Sequence, residues 1–246
     1  MVVEIIPVRI EREIKPGDDL VSLTLASPSA PSLQDGDIVV FTQKVISKQE
    51  GRIVRLSDVH PGLLATGIAS EYGKDPRIVQ LILDQTKRIV RMRAGIIISE
   101  TVGGFICANA GVDESNILQG YAGMLPQDSD ATADKFRRQI MEKTGKKVAV
   151  LISDTFGRPF RMGQTNVAIG IAGISAMIDY SGKFDVFGRI LRVTAISVAD
   201  ELCSAAELVM GKSLQVPVSV IRNYEFSEEK SSVRDVMRKP YEDFLR

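Results

Sequence analysis

The stretch Lys147-Val148-Ala149-Val150-Leu151-Ile152-Ser153-Asp154-Thr155 joins five consecutive apolar residues to three that carry side-chain oxygens. An unbroken apolar run of that length, rich in branched residues, suits a strand buried on both faces. It reads as a strand ending where the polar residues begin, and open sheets commonly meet metals and phosphates at such strand ends. There Asp154 offers a hard carboxylate oxygen for Mg2+ or Mn2+, and Thr155 adds a hydroxyl. A turn or helix cap is the plain alternative for the same two residues.

Downstream, Phe156-Gly157-Arg158-Pro159-Phe160-Arg161-Met162-Gly163 places two arginines among glycines. The guanidinium fork of Arg158 matches phosphate or carboxylate oxygens, and glycine lets backbone amides approach an anion, so an anion-binding loop is expected beyond Asp154. Solvated surface arginines are the alternative. Upstream, Ser129 to Thr144 reads as a helix with Ala133, Phe136, Ile140 and Met141 on its apolar stripe and Gly145 as its stop. Before it, Cys107-Ala108-Asn109-Ala110-Gly111-Val112-Asp113-Glu114-Ser115-Asn116 again passes from small apolar residues through a glycine to oxygen donors. Asp113 is suited to share a metal with Asp154, and Asn116 to bond a purine edge or ribose, unless the pair merely caps a helix.

Towards the amino end, Val2 to Pro7 predicts a strand ended by the proline, and Asp18-Asp19 a helix cap. Asp37 to Thr42 predicts a buried strand running on into an extended Gln43-Lys44-Val45-Ile46-Ser47-Lys48, in which Lys44 or Lys48 could neutralise a phosphate as a point charge. Lysines on a solvated hairpin are the bland alternative. Asp75-Pro76 opens a helix, Val198, Leu202, Ala206 and Val209 mark another, and Val216 to Ile221 is strand-like. Ala206 to Ser213, containing Met210, Gly211, Lys212 and Ser213, loosely fits a P-loop, but here a helix precedes and a strand follows, which reverses the required order. No dinucleotide-binding glycine fingerprint follows a strand.

The 31 Lys+Arg balance 31 Asp+Glu in 246 residues, so no net field draws nucleic acid or an anionic membrane. No apolar run approaches a membrane span, Met1-Val2-Val3-Glu4 lacks a secretion signal, and a cytoplasmic location is expected. Cys107 and Cys203 read as buried hydrophobes, and His60 as an exposed turn residue. The expected fold is α+β (mixed α/β): one unit over 1–246 with a sheet-rich core and flanking helices, in two interleaved lobes, 1–95 with 190–246 and 96–189.

The segments Val45 to Arg52, Asn109 to Asn116, Ser153 to Pro159 and Ala168 to Gly173 together resemble the coenzyme F-420:L-glutamate ligase family, in the family's order and across nearly the whole chain. The resemblance implies a GTP-dependent ligase requiring Mg2+ or Mn2+, with room for a monovalent cation. It would add L-glutamate to the phospholactyl side chain of the deazaflavin precursor through an acyl phosphate, and further glutamates through gamma linkages. It implies an intertwined homodimer. It also implies metal contacts at Asp113, Asp154 and Thr155, and nucleotide contacts at Gln43, Lys44, Lys48, Asn116 and the Met210 to Pro217 stretch. Asp113, Asp154 and Arg158 are the expected catalytic set. The chain departs from the family at Lys212, where an acidic metal contact is common, at Asn166, where aspartate is common, and at Glu11-Arg12-Glu13-Ile14. Those departures keep two alternatives open: a related ATP- or GTP-dependent ligase with another acceptor, or a nucleotide-binding protein without turnover.

Overall fold

The computed structural model describes residues 2–243. Its central sheet is built around β8 (Ala149–Arg158), which contains the apolar run. The strand order is β1 (Glu4–Val8), β12 (Val218–Arg222), β2 (Ile38–Thr42), β8, β9 (Arg161–Ala172), with β2 and β8 parallel and the other neighbours antiparallel. Side chains alternate across it. Val39, Phe41, Val150, Ile152, Val218 and Val220 enter one core cluster, and Ile38, Val40, Ala149, Leu151 and Ile221 enter the other. Both faces are therefore dry, which is why these strands lack polar alternation.

One face is covered by α5 (Ser129–Thr144), whose Phe136 meets Phe41 edge to face at 5.0 Å. Such a contact contributes about 0.5–1.5 kcal/mol beyond area burial. Gly145, at φ 71, ends the helix in the left-handed conformation its sequence predicts. The other face is covered by α6 (Val198–Met210), through Val198, Ala199, Leu202, Cys203, Ala206 and Met210.

The connection from β2 to β8 holds a second body with its own core, drawn from residues 54–124. In it α3 (Leu63–Tyr72) and α4 (Pro76–Asp84) pack with a three-stranded sheet of β4 (Thr86–Arg93), β5 (Ile96–Thr101) and β6 (Ile106–Ala108). The short pair β3 (Ile53–Arg55) and β7 (Tyr121–Gly123) closes it. The architecture is α+β. The five strands of the central sheet come from both sides of the 1–95 with 190–246 and 96–189 division.

Several local expectations are corrected. Pro7 does not end β1: it pairs with Ser219 on the outermost strand, where a missing N–H is tolerated. Gln43 to Lys48 is helical, not extended, because the chain turns at Thr42 into α2 (Gln43–Gln49). The polar residues after Ile152 do not end β8, which continues through Asp154 and Thr155 to Arg158 as one arm of a long hairpin with β9. Gly157 and Gly163 accordingly lie in paired strands rather than in an anion-binding loop. Asp113 and Asn116 cap no helix: they follow a 3-10 turn, Asn109–Gly111, and Asp113 bridges Gly123.

Candidate active site

A cleft of about 960 Å³ opens where the second body meets the central sheet. It is lined from β2 and α2, from the loop through Asp113 and Asn116, from the polar half of β8 and from the turn between α6 and β12. Of the residues singled out by sequence, Gln43, Lys44, Lys48, Asp113, Asn116, Asp154, Thr155, Gly211, Lys212 and Ser213 line it. Two do not. Met210, the last residue of α6, is buried in the core, and Arg158 is exposed near the hairpin tip, where its Nη2 donates to the Met162 carbonyl at 2.9 Å.

The turn into α2 places Lys44 and Lys48 one helical turn apart, on one side. The Lys44 ammonium pairs with Asp113 Oδ2 and lies 3.4 Å from Ser115 Oγ, while Lys48 Nζ is 3.5 Å from Glu13 Oε1. Gln43 faces inward. Its Nε2 donates to Ser47 Oγ at 2.6 Å and to the Met124 carbonyl at 3.3 Å, anchoring α2 against the second body.

Asp113 is held by its own loop. The Ser115 backbone N–H donates to Oδ1 at 3.0 Å, and the Ser115 hydroxyl donates to Oδ2. The turn before it depends on Gly111, at φ 73, where an added Cβ would run into the Leu125 side chain. Desolvation would raise the Asp113 carboxyl, but the bonds from Lys44 and Ser115 outweigh it and hold the group below the usual carboxylate range.

Asp154 sits just past a bulge: partners step from Ile152↔Gly170 to Ser153↔Ala168, so Ile169 is skipped and the following side chains are re-aimed. Among the described residues no side chain donates a hydrogen bond to its carboxylate. Desolvation pushes that carboxyl up to about 6, against the Thr155 backbone N–H and the charges of Lys44 and Lys212, which pull it down. Burial outweighs those attractions, so the carboxylate is left under-compensated. Beside it, burial and the Asp154 charge push the Cys107 thiol up to about 12, so it stays protonated.

A third cluster draws together Thr155, Lys212 and Asn166, which the sequence named separately. Thr155 Oγ1 donates to Asn166 Oδ1 at 2.7 Å, Asn166 Nδ2 donates to Ser153 Oγ at 2.9 Å, and the Lys212 ammonium donates to Thr155 Oγ1 and, at 3.4 Å, to Asn166 Oδ1. Asn116 Nδ2 donates to the Lys212 carbonyl at 3.2 Å, joining the Asp113 loop to the α6–β12 turn. Ser115 was signalled by the Asp-x-Ser spacing of a side-chain turn. Asn166 was marked only as a departure from the family, not by any local pattern.

The donor set can be tested against a divalent ion. Among the described residues no three His, Cys, Asp or Glu side chains converge. Asp113 and Asp154 nevertheless suit Mg2+ or Mn2+, which are commonly held by one or two carboxylates with substrate phosphates and water completing the shell. The desolvated, unpartnered carboxylate of Asp154 is the observation that favours such an ion. Thr155 is less available, since Lys212 already occupies its hydroxyl.

Residues 8–223 match the F420-0:Gamma-glutamyl ligase family. The chain belongs to that family. It is 43% identical over 235 residues to the coenzyme F420:L-glutamate ligase of Methanothermobacter thermautotrophicus, covering 94% of this chain and 93% of that protein. The proteins of the same name from Methanopyrus kandleri and Methanocaldococcus jannaschii are each 42% identical, over 98% and 96% of this chain and 96% and 95% of theirs. The F420-0:Gamma-glutamyl ligase match spans both β2 and β12, and with them every element that lines the cleft. No helix among the described residues is long and apolar enough to cross a membrane.

Proposed function

We propose that this chain joins L-glutamate to the phospholactyl carboxylate of the deazaflavin coenzyme F-420 precursor, using GTP and Mg2+ or Mn2+. The observation that carries this reading is the gathering of Asp154 with two ammonium groups that act on it, Lys44 and Lys212, in a cleft large enough for nucleotide and acceptor. The names of its relatives support the ligase class.

In this reading an oxygen of the acceptor carboxylate attacks the γ-phosphorus of GTP, and the bond to GDP breaks. The glutamate amine then attacks the acyl phosphate carbon, inorganic phosphate leaves, and the amine gives up its proton as the amide forms. A divalent ion held by Asp113 and Asp154 would neutralise phosphate charge. Everything else falls to the chain: Lys44 and Lys212 offset charge on the phosphates, and Lys48 and Asn116 bound the nucleotide. The Gln43 anchor keeps α2 in place. No protein nucleophile is needed, so positioning and electrostatics supply the rate.

We extend the reading to a homodimer in the cytoplasm, the compartment where GTP and L-glutamate are both supplied. The hairpin tip exposes Phe160 at 90% and Met162 at 97%, and the arm between β10 (Ile178–Asp179) and β11 (Ala195–Ile196) exposes Val186 at 93% and Phe187 at 86%. Apolar projections of that size favour a protein partner, here a second copy. Light scattering of the wild type and of Phe160→Ser/Met162→Ser tests this, with a monomeric wild type as the contrary result.

The reaction is tested by supplying GTP, Mn2+, L-glutamate and deazaflavin phospholactate. GDP and phosphate should appear only with both co-substrates, and mass spectrometry should find one added glutamyl unit. Protein that binds GTP but yields no glutamyl product on any deazaflavin acceptor would sink the assignment.

A further inference from the structure

We propose that Lys212 is a resident cation of the cleft: held by Thr155 and Asn166, it keeps a divalent ion off that side of Asp154, leaving one exchangeable ion between Asp154 and Asp113. Its third N–H is left to a phosphate oxygen, and this last part alone rests on the nucleotide reading above.

The two lysines of the cleft are held differently. Lys44 faces a carboxylate, Asp113, so its charge is cancelled where it stands. Lys212 donates to a hydroxyl and an amide oxygen, both neutral, and makes a looser ion pair with Glu207 Oε1 at 3.7 Å. An ammonium has three donors, and Thr155 and Asn166 take two. The backbone of Lys212 is fixed as well: it follows Gly211, the C-cap of α6 at φ 55, and its carbonyl accepts from Asn116. The carboxyl end of a helix favours a positive charge, which further holds the lysine there.

Asn166 sets this arrangement. It is buried, and its Nδ2 is committed to Ser153 Oγ, itself buried, so Oδ1 is turned towards Thr155 and Lys212. It is a positioning residue. A divalent ion binding Thr155 Oγ1 would have to displace the ammonium that already bonds it, and the two oxygens closest to that ammonium, on Thr155 and Asn166, are neutral.

The test counts ions on the full chain by Mn2+ electron paramagnetic resonance, with Mn2+ as the only ligand, so its outcome does not depend on the nucleotide reading. The wild type should bind one Mn2+ per chain. Asn166→Asp should still bind one, because Lys212 neutralises the new carboxylate, whereas Asn166→Asp/Lys212→Ala should bind two. Circular dichroism and a thermal melt establish that each variant is folded. Two ions on the wild type, none, or a single ion on the folded double variant would overturn the proposal. A second arm uses Lys212→Gln, a substitution at an exposed side chain, and measures GDP affinity with Mn2+ present. A loss of tenfold or more is expected, and a change under twofold removes the phosphate role. A wild type that binds no GDP defeats the proposed function instead, and the ion count still stands on its own.

Discussion

The loop that carries Asp113 and the bulged strand that carries Asp154 bring one residue type to one cleft in two electrostatic states. Asp113 is half exposed, bonded by Ser115 and paired with Lys44, and its carboxyl is held low. Asp154 is desolvated, lacks a side-chain donor, and is pushed up to about 6. The difference teaches that a satisfied carboxylate and an unsatisfied one are set to exchange partners differently. An ion arriving at Asp154 would fill a need the fold leaves open, whereas to reach Asp113 it would have to displace the Lys44 ammonium.

The largest effect expected from breaking the contrast is on turnover. Asp154→Asn should lower kcat by about 10³-fold, the scale of losing a central electrostatic group. In the metal-free protein at pH 7.5 the same change should raise stability by roughly 1–2 kcal/mol, since it removes a desolvated charge that the cleft's water only partly screens. Calorimetry showing Asp154→Asn less stable than wild type would mean that Asp154 has a partner in the folded state. Asp113→Asn should cost less in turnover, about 10²-fold. It should also lower metal-free stability, because Lys44 and Ser115 lose their carboxylate. Equal stability changes of one sign in the two variants would erase the distinction.

The pH dependence sharpens the contrast further. The folded pKa of Asp154 lies above its unfolded value of 3.8, so between 3.8 and about 6 the folded state holds a proton that the unfolded state has lost. Its contribution favours folding at the acid end of that window and is lost as pH rises through about 6. Asp113 runs the other way, contributing above 3.8 and fading as pH falls through its lowered pKa. Denaturant melts of metal-free wild type and Asp154→Asn from pH 4 to 7 should diverge with rising pH, the variant becoming relatively more stable. Mn2+ affinity should climb over the same range as Asp154 loses its proton, and a flat profile would contradict the assignment. The smallest effect concerns Cys107, held protonated at a pKa of about 12 beside Asp154. Iodoacetamide at pH 8 should leave it unmodified in the folded protein, as judged by peptide mass spectrometry.

The elements read best from sequence are those fixed by composition over a whole run. The apolar run became a doubly buried strand from Ala149 on, and Ala133, Phe136 and Ile140 with Gly145 behind them marked α5, although Met141, expected on the same stripe, is exposed. Asp75 and Asp19 cap their helices through their own side-chain oxygens, a matter of two or three neighbouring residues. Where reading failed, distant pairing overrode local pattern. Ser153 to Arg158 resembled a turn until β9 supplied hydrogen-bond partners along its length, and the same pairing drew the glycines and Arg158 out of the expected anion loop. Gln43 to Lys48 has too few residues for periodicity to separate helix from strand.

By itself the sequence determined the buried strand, the main helices, and the grouping of carboxylates and lysines that resembles a glutamate ligase. Each follows from residues adjacent in the chain or from motif order. Only the tertiary structure decided that Asp113 and Asp154, drawn from loop and sheet, carry opposite shifts, and that the Lys212 ammonium bonds Thr155 and Asn166, with Glu207 farther off at 3.7 Å. Those outcomes depend on desolvation and charge from residues tens of positions apart, which no local pattern encodes.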